Sequence, residues 1–215
     1  MSSEYEKLIQ KLDFRYKVHP WHGVASGEKA PEIVTAFIEI VPTDTVKYEV
    51  DKPTGYLKVD RPQKFSNIVP ALYGFIPQTY CDKEVAKYCE EKTGRTNLHG
   101  DGDPLDILVL SEHNITHGDI LLQAIPIGGF RMIDNGEVDD KIISVMKTDE
   151  FYTQWKDINE IPVSIVARLK HYFLTYKNMP GSGKQVCEIT HTYNAAEAHE
   201  VIRRSMVDYK NKFEI

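Results

Sequence analysis

The sequence predicts an α+β fold with a mainly β core and helices packed outside it. Three observations lead there. Val46, Tyr48 and Val50 alternate with Lys47, Glu49 and Asp51, which is the pattern of a half-buried strand. Asn135-Gly136, the strongest two-residue hairpin signal, sits between two further alternating stretches. Helical spacing is concentrated near the ends, over about Glu4–Tyr16 and in the last third. At 215 residues the chain is expected to form a single domain, 1–215, with an N-terminal arm at about 1–30.

Tyr5, Leu8, Ile9 and Leu12 give the first helix its apolar stripe. His19-Pro20-Trp21-His22 reads as an arm packed on the body or on a neighbouring subunit rather than as a metal site. A strand is expected over Ile33–Val41, with Glu39 at a sheet edge or aimed into a polar pocket. The turn Asp51-Lys52-Pro53-Thr54-Gly55 joins the next strand to a return strand. There Leu57, Val59 and Arg61 share one face and Tyr56, Lys58 and Asp60 the other. That hairpin brings Lys47, Glu49 and Arg61 onto one surface, although taken alone it reads as a solvated sheet face. Asn67–Tyr80 reads as an aromatic-rich ordered loop with a short strand. Asp82–Asn97 reads as an exposed polar insertion with a helical turn near Glu84–Glu91.

Strands are expected over Ile107–Leu110 and Ile120–Ile127, with His113 and His117 in the loop between them. Phe130–Asp134 then leads into the Asn135-Gly136 turn, and the return strand carries Asp139 and Lys141 on one face. Pro162 opens a helix whose core face is Ile161, Ile165, Leu169, Phe173 and Tyr176. Gly181-Ser182-Gly183-Lys184 lacks the first glycine and the Ser or Thr of a P-loop, and it follows a helix, so it is not read as one. A short strand is expected over Val186–Thr190. Asn194 with Glu197 then forms a capping box opening a last helix, with Val201, Ile202, Met206 and Tyr209 inward.

The chemistry centres on Gly100-Asp101-Gly102-Asp103-Pro104-Leu105-Asp106, where a bent turn runs directly into an apolar strand. Two unit charges about 4 Å apart repel by roughly 4 kcal/mol at an effective dielectric near 20. Three carboxylates on so short a turn therefore want a cation, and hard divalent ions take such oxygen ligands. A solvated acidic loop is the plain alternative. An EF-hand is excluded, because Leu105 and Asp106 stand where that loop needs an oxygen ligand and a glycine. Glu39, Lys47, Glu49, Arg61, Tyr73, Asp101, Asp103, Asp106, Asp134, Asp139, Lys141, Tyr176 and Lys177 together make the inventory of a multi-metal phosphoryl-transfer site.

Composition bounds the partners. A net charge of −6 does not suggest nucleic acid. No run approaches the 18 apolar residues of a membrane span. Three cysteines without CxxC spacing, and no secretory pattern in Met1–Lys11, lead to the expectation of a reducing cytoplasm.

The run Asp101-Gly102-Asp103-Pro104-Leu105-Asp106-Ile107 resembles the signature of the soluble, Mg²⁺-dependent family I inorganic pyrophosphatases. The resemblance covers roughly Ile33 to Lys184. It is supported by Ile38-Glu39-Ile40, Lys47-Tyr48-Glu49, Val59-Asp60-Arg61, Tyr73-Gly74, Asp134 through Asp139 to Lys141, and Tyr176-Lys177. It implies an OB-like closed five-stranded β-barrel with helices packed outside. It also implies hydrolysis of diphosphate to two orthophosphates by in-line attack of a metal-activated water, with several Mg²⁺ ions per site. By that resemblance Asp101, Asp106 and Asp139 hold the first metal, and Asp106 reaches the second. Asp134 and Asp139 hold a metal arriving with substrate, and Glu39 and Glu49 a further one. Asp103 is the general base, and Tyr73 tunes the nucleophile by hydrogen bonding near it. Lys47, Arg61, Lys141, Tyr176 and Lys177 contact phosphate. A homo-oligomer is implied, a hexamer in the bacterial pattern. The chain departs from that pattern at Val69, Leu72 and Asn135, in the Asp82–Asn97 insertion and in the arm. Two other readings are a metal-dependent nucleotide hydrolase and a non-catalytic OB-like module that binds nucleic acid.

Overall fold

Five strands close on themselves into a barrel. The computed structural model describes residues 17–177 and 187–214; the helix expected over Glu4–Tyr16 and the Gly181–Lys184 segment lie outside them. The strands are β1 (Val34–Ile40), β2 (Val46–Val50), β3 (Leu57–Pro62), β4 (Leu72–Phe75), β5 (His99–Gly100), β6 (Asp106–Leu110), β7 (Ile120–Asp134), β8 (Glu137–Val138), β9 (Lys141–Met146) and β10 (Cys187–Asn194). The helices are α1 (Lys83–Thr93), α2 (Val163–Thr175) and α3 (Ala195–Phe213). The ring runs β1-β4-β6-β9-β7 and closes by pairing β7 with β1. Only β6 and β9 pair in parallel within it. This is the OB-like closed barrel the sequence led us to expect. β2 and β3 form a separate two-stranded sheet.

The apolar run after the acidic turn has a simple cause. Ile107 and Val109 pack in one core cluster, Leu108 and Leu110 in another, so β6 is buried on both faces. Gly74 lies where β4 crosses β1, and a Cβ there would sit 1.8 Å from the Phe37 carbonyl oxygen. Helix α2 lays Leu169, Tyr172 and Phe173 on the second cluster.

Three expectations change. β7 is one 15-residue strand where the sequence suggests two. Its ladder to β9 shifts between Pro126 and Gly128, but the strand continues because its second half also pairs with β10. Tyr193 of β10 lies over Gly129, with its ring 2.4 Å from where a Cβ would be. The Asp82–Asn97 insertion is not simply exposed: α1 buries Val85, Ala86, Tyr88 and Cys89. The Asn194–Glu197 box is half formed. Asn194 accepts from the Glu197 N–H at 3.0 Å, but the Glu197 carboxylate turns to Arg131 Nη1 at 2.9 Å. Arg131 is fully buried and also pairs with Asp140, so its charge takes precedence over the cap.

The arm packs on the body. Trp21 is buried, and its indole N–H donates to the Thr79 carbonyl at 2.8 Å. Helix α3 holds α1 through Asp208, a buried carboxylate accepting the backbone N–H groups of Asp82, Glu84 and Val85. Those are the orphan donors at a helix N-terminus. Removing the carboxylate strands them, so Asp208→Ala is expected to lower stability by about 1–3 kcal/mol in urea denaturation, with Asp208→Asn losing less.

Candidate active site

The acidic turn is fixed by bonds to its own backbone, two from backbone groups of Cys81 and two involving side chains. Gly102 takes φ +73°, a conformation that favours glycine. The Asp103 N–H donates to Asp101 Oδ1 at 3.0 Å. The Cys81 N–H donates to the Asp103 carbonyl at 2.9 Å, the Gly102 N–H to the Cys81 carbonyl at 3.0 Å, and the Leu105 N–H to Thr79 Oγ1 at 2.9 Å. The segment leading into α1 therefore clamps the turn.

Strand register sets the centre. Asp106 and Lys141 are partners across the parallel β6–β9 pair. Lys141 is buried, and its ammonium stands between Asp106 and Asp139, donating to both. Burial alone would lower its pKa, but the two carboxylates outweigh burial and hold it well above the ordinary value. The Tyr73 hydroxyl donates to Asp106 Oδ2 at 2.5 Å, so its hydrogen bond goes to Asp106 and not to Asp103. Asp134, at the end of β7, pairs with Lys177, just past α2. Glu39 lies where the β1–β4 register shifts, between Ile38 and Ile40, and accepts the Val50 N–H of β2 at 2.6 Å.

These groups face one cavity of about 620 Å³. All thirteen residues singled out in the sequence line it: Glu39, Lys47, Glu49, Arg61, Tyr73, Asp101, Asp103, Asp106, Asp134, Asp139, Lys141, Tyr176 and Lys177. The hairpin face that reads as solvated is thus a wall of the cavity. Lys52, Asp60, Lys64, Glu137 and Tyr172 also line it and were not singled out. Asp60, expected on the far face from Arg61, lies 2.9 Å from Lys47 Nζ and 3.0 Å from Arg61 Nη1. A register irregularity between Lys47 and Tyr48 breaks the strict alternation there. Val69, where the family pattern has a tyrosine, is fully buried in apolar core.

The charges do not cancel. Nine carboxylates (Glu39, Glu49, Asp60, Asp101, Asp103, Asp106, Asp134, Glu137 and Asp139) face six cations, namely Lys47, Lys52, Arg61, Lys64, Lys141 and Lys177. Burial, with Asp139 close by, pushes Asp101 up to about 9. Burial pushes Glu39 up to about 8 against the opposing Val50 bond, and Asp139 to about 6 against the pull of Lys141. Buried, under-compensated oxygen donors of this kind suit hard divalent cations. Among the described residues no three His, Cys, Asp or Glu side chains converge as a ready metal cage. Lys141 occupies the space between Asp106 and Asp139 instead.

The chain's sequence and fold match those of known proteins. The family described as inorganic pyrophosphatase matches residues 36–210 of this chain. The chain belongs to the inorganic pyrophosphatase family. An inorganic pyrophosphatase of Chlamydia muridarum is 52% identical over 200 residues, covering 91% of this chain and 96% of that one. A soluble inorganic pyrophosphatase of Oryza sativa subsp. japonica is 36% identical over 202 residues, covering 94% and 84%. The crystal structure of the inorganic pyrophosphatase of Thermus thermophilus superimposes with a TM-score of 0.75 at 29% identity, covering 90% of this chain and 99% of that one. The pyrophosphatase match continues past Lys184 into α3, further than the sequence motifs reach. No helix among the described residues is long and apolar enough to cross a membrane.

The raised carboxyls have a stability signature. A folded-state pKa of about 8 for Glu39, against an ordinary 4.5, adds stability that is full below pH 4.5 and is lost as pH rises to 8. In the metal-free protein, Glu39→Gln is expected to flatten the fall in stability between those values. Urea melts across that window read the difference, and the Gln carbonyl oxygen keeps the Val50 bond.

Proposed function

We propose that this chain is an inorganic diphosphatase: it hydrolyses diphosphate to two orthophosphates with magnesium as cofactor. The observation that carries this reading is the cavity itself, where nine carboxylates and six cationic side chains share one space. Carboxylates alone would suit a calcium site, and cations alone an anion site. The mixture suits an anion that arrives with divalent metal.

Asp101, Asp106 and Asp139 would hold one metal, with Asp106 shared by a second. Asp134 and Asp139 would hold a metal that comes with substrate, and Glu39 and Glu49 another. Bound magnesium would supply positive charge against the phosphate oxygens and acidify a water held beside Asp103. Asp103 would take a proton from the attacking water as that water approaches phosphorus in line with the departing phosphate. Its carboxylate is suited to this by its place on a clamped turn, not on a mobile loop. Tyr73 holds Asp106 oriented by its 2.5 Å hydrogen bond. Lys47, Arg61, Lys141, Tyr176 and Lys177 bind the phosphate oxygens and offset charge on the leaving group. Lys141 faces Asp106 and Asp139 as well, so divalent charge held by those two acids would free its ammonium for phosphate.

One domain carries the site. The chain acts in a reducing cytoplasm, which suits three free, buried cysteines. It works as a homo-oligomer, with a hexamer favoured, and needs no nucleic acid or membrane.

The decisive experiment is phosphate release from diphosphate with and without Mg²⁺, with nucleoside triphosphates as comparison substrates. Magnesium-dependent release with strong preference for diphosphate is expected, and no release from well-folded protein rejects the reading. Asp103→Asn is expected to lose on the order of 10²-fold or more in kcat while its melting temperature is kept. Near-normal turnover would remove Asp103 from the role of base. Addition of Mg²⁺ to metal-free protein near pH 7 is expected to release protons, because Asp101 and Glu39 titrate near 9 and 8 before loading. Calorimetry in two buffers of different ionisation enthalpy measures that count.

A further inference from the structure

Lys52 stands in the β2–β3 turn, at the mouth of the cavity, and its ammonium pairs with Asp103 across it. Both side chains are about half exposed, 55% and 46%. A pair this open contributes little to stability, so folding does not explain why the turn is held in this place. Yet it is held. The His19 Nδ1 accepts the N–H groups of Trp21 and His22, at 3.2 and 3.3 Å. That fixes the proton on Nε2, which donates to the Lys52 carbonyl at 2.9 Å. The ring also packs on the other end of the turn, since a Cβ on Gly55 would lie 2.8 Å from His19 Cδ2. Trp21, buried and bonded to Thr79, anchors the arm that carries His19. The arm thus latches the turn and places Lys52 opposite Asp103.

We propose that Lys52 is a further substrate-binding residue, which waits on Asp103 and moves to a terminal oxygen of diphosphate when substrate enters, and that His19 is the residue that positions it. This rests on the function proposed above. Lys52 and Asp103 line the same cavity, so an anion entering it meets this ammonium and competes with Asp103 for it. An ammonium has only donors, and its next partner must be an anion. Within reach of the cavity mouth, the anion that arrives at that moment is the substrate. A single flexible ammonium on a turn suits this transfer better than a fixed guanidinium fork.

The test uses four variants of the full chain, loaded with Mg²⁺: Lys52→Ala, Lys52→Arg, His19→Ala and His19→Gln. Two quantities are read, KM for diphosphate and the Kd of the non-hydrolysable analogue imidodiphosphate by calorimetry. Lys52→Ala is expected to raise both about tenfold, the loss of one charge-assisted hydrogen bond, with a much smaller change in kcat. Lys52→Arg should retain most of the affinity. His19→Ala should shift both in the same direction by less, and His19→Gln, whose amide N–H can replace Nε2–H, should restore them. Unchanged KM and Kd in Lys52→Ala overturn the proposal. So does a fall in kcat alone, which would tie Lys52 to Asp103 and not to substrate. Imidodiphosphate affinity can be read even if the wild-type chain fails to release phosphate, so failure of the activity and failure of this assignment are separable.

Discussion

The buried ammonium of Lys141 is the constraint on which the site depends. A charge taken out of water must be paired, or it costs several kcal/mol. The pairing is made by backbone register, which sets Lys141 opposite Asp106 in the barrel's one parallel strand pair and two residues from Asp139. A slip of one residue between β6 and β9 would turn Lys141 away from Asp106 and leave that acid uncompensated. The register also places Tyr73, because β4 pairs with the other side of β6. Barrel closure and charge compensation therefore specify the same arrangement.

Much of this was legible in the residues. The acidic turn runs directly into a strand because β6 is buried on both faces, and a continuous apolar run is what such a strand requires. The core face of α2 and the inward face of α3 follow from 3.6-residue spacing alone. What a single sequence does not carry is what covers a polar face. Lys47, Glu49 and Arg61 have the same alternation whether water or a cavity lies above them. The same limit hid Lys52, whose turn is recognisable but whose neighbour, Asp103, is 51 positions away. Asp60 was hidden by a register irregularity, which local alternation does not reveal.

The other misreadings share a cause, namely contacts that are distant in sequence. α1 is polar in composition, and its first turn is completed by a carboxylate of α3, more than 120 residues on. Glu197 abandons its own helix cap for Arg131, on β7. β7 continues past Gly128 and Gly129 because a neighbour, β10, pairs with its second half. In each case local preference gave way to a buried charge or an unpaired backbone group, the two things a folded interior tolerates least.

The two sheets divide the cavity between them. Asp106 and Lys141 belong to barrel strands; Lys47, Glu49 and Arg61 belong to a two-stranded ribbon that shares no ladder with the barrel. The bond from the Val50 N–H to Glu39 is one direct tie between these two bodies. An anion bonded to Lys47 and Lys141 at once would join the ribbon to the barrel. Such a bridge would restrain the ribbon and leave the barrel, already closed by its own ladders, as it was.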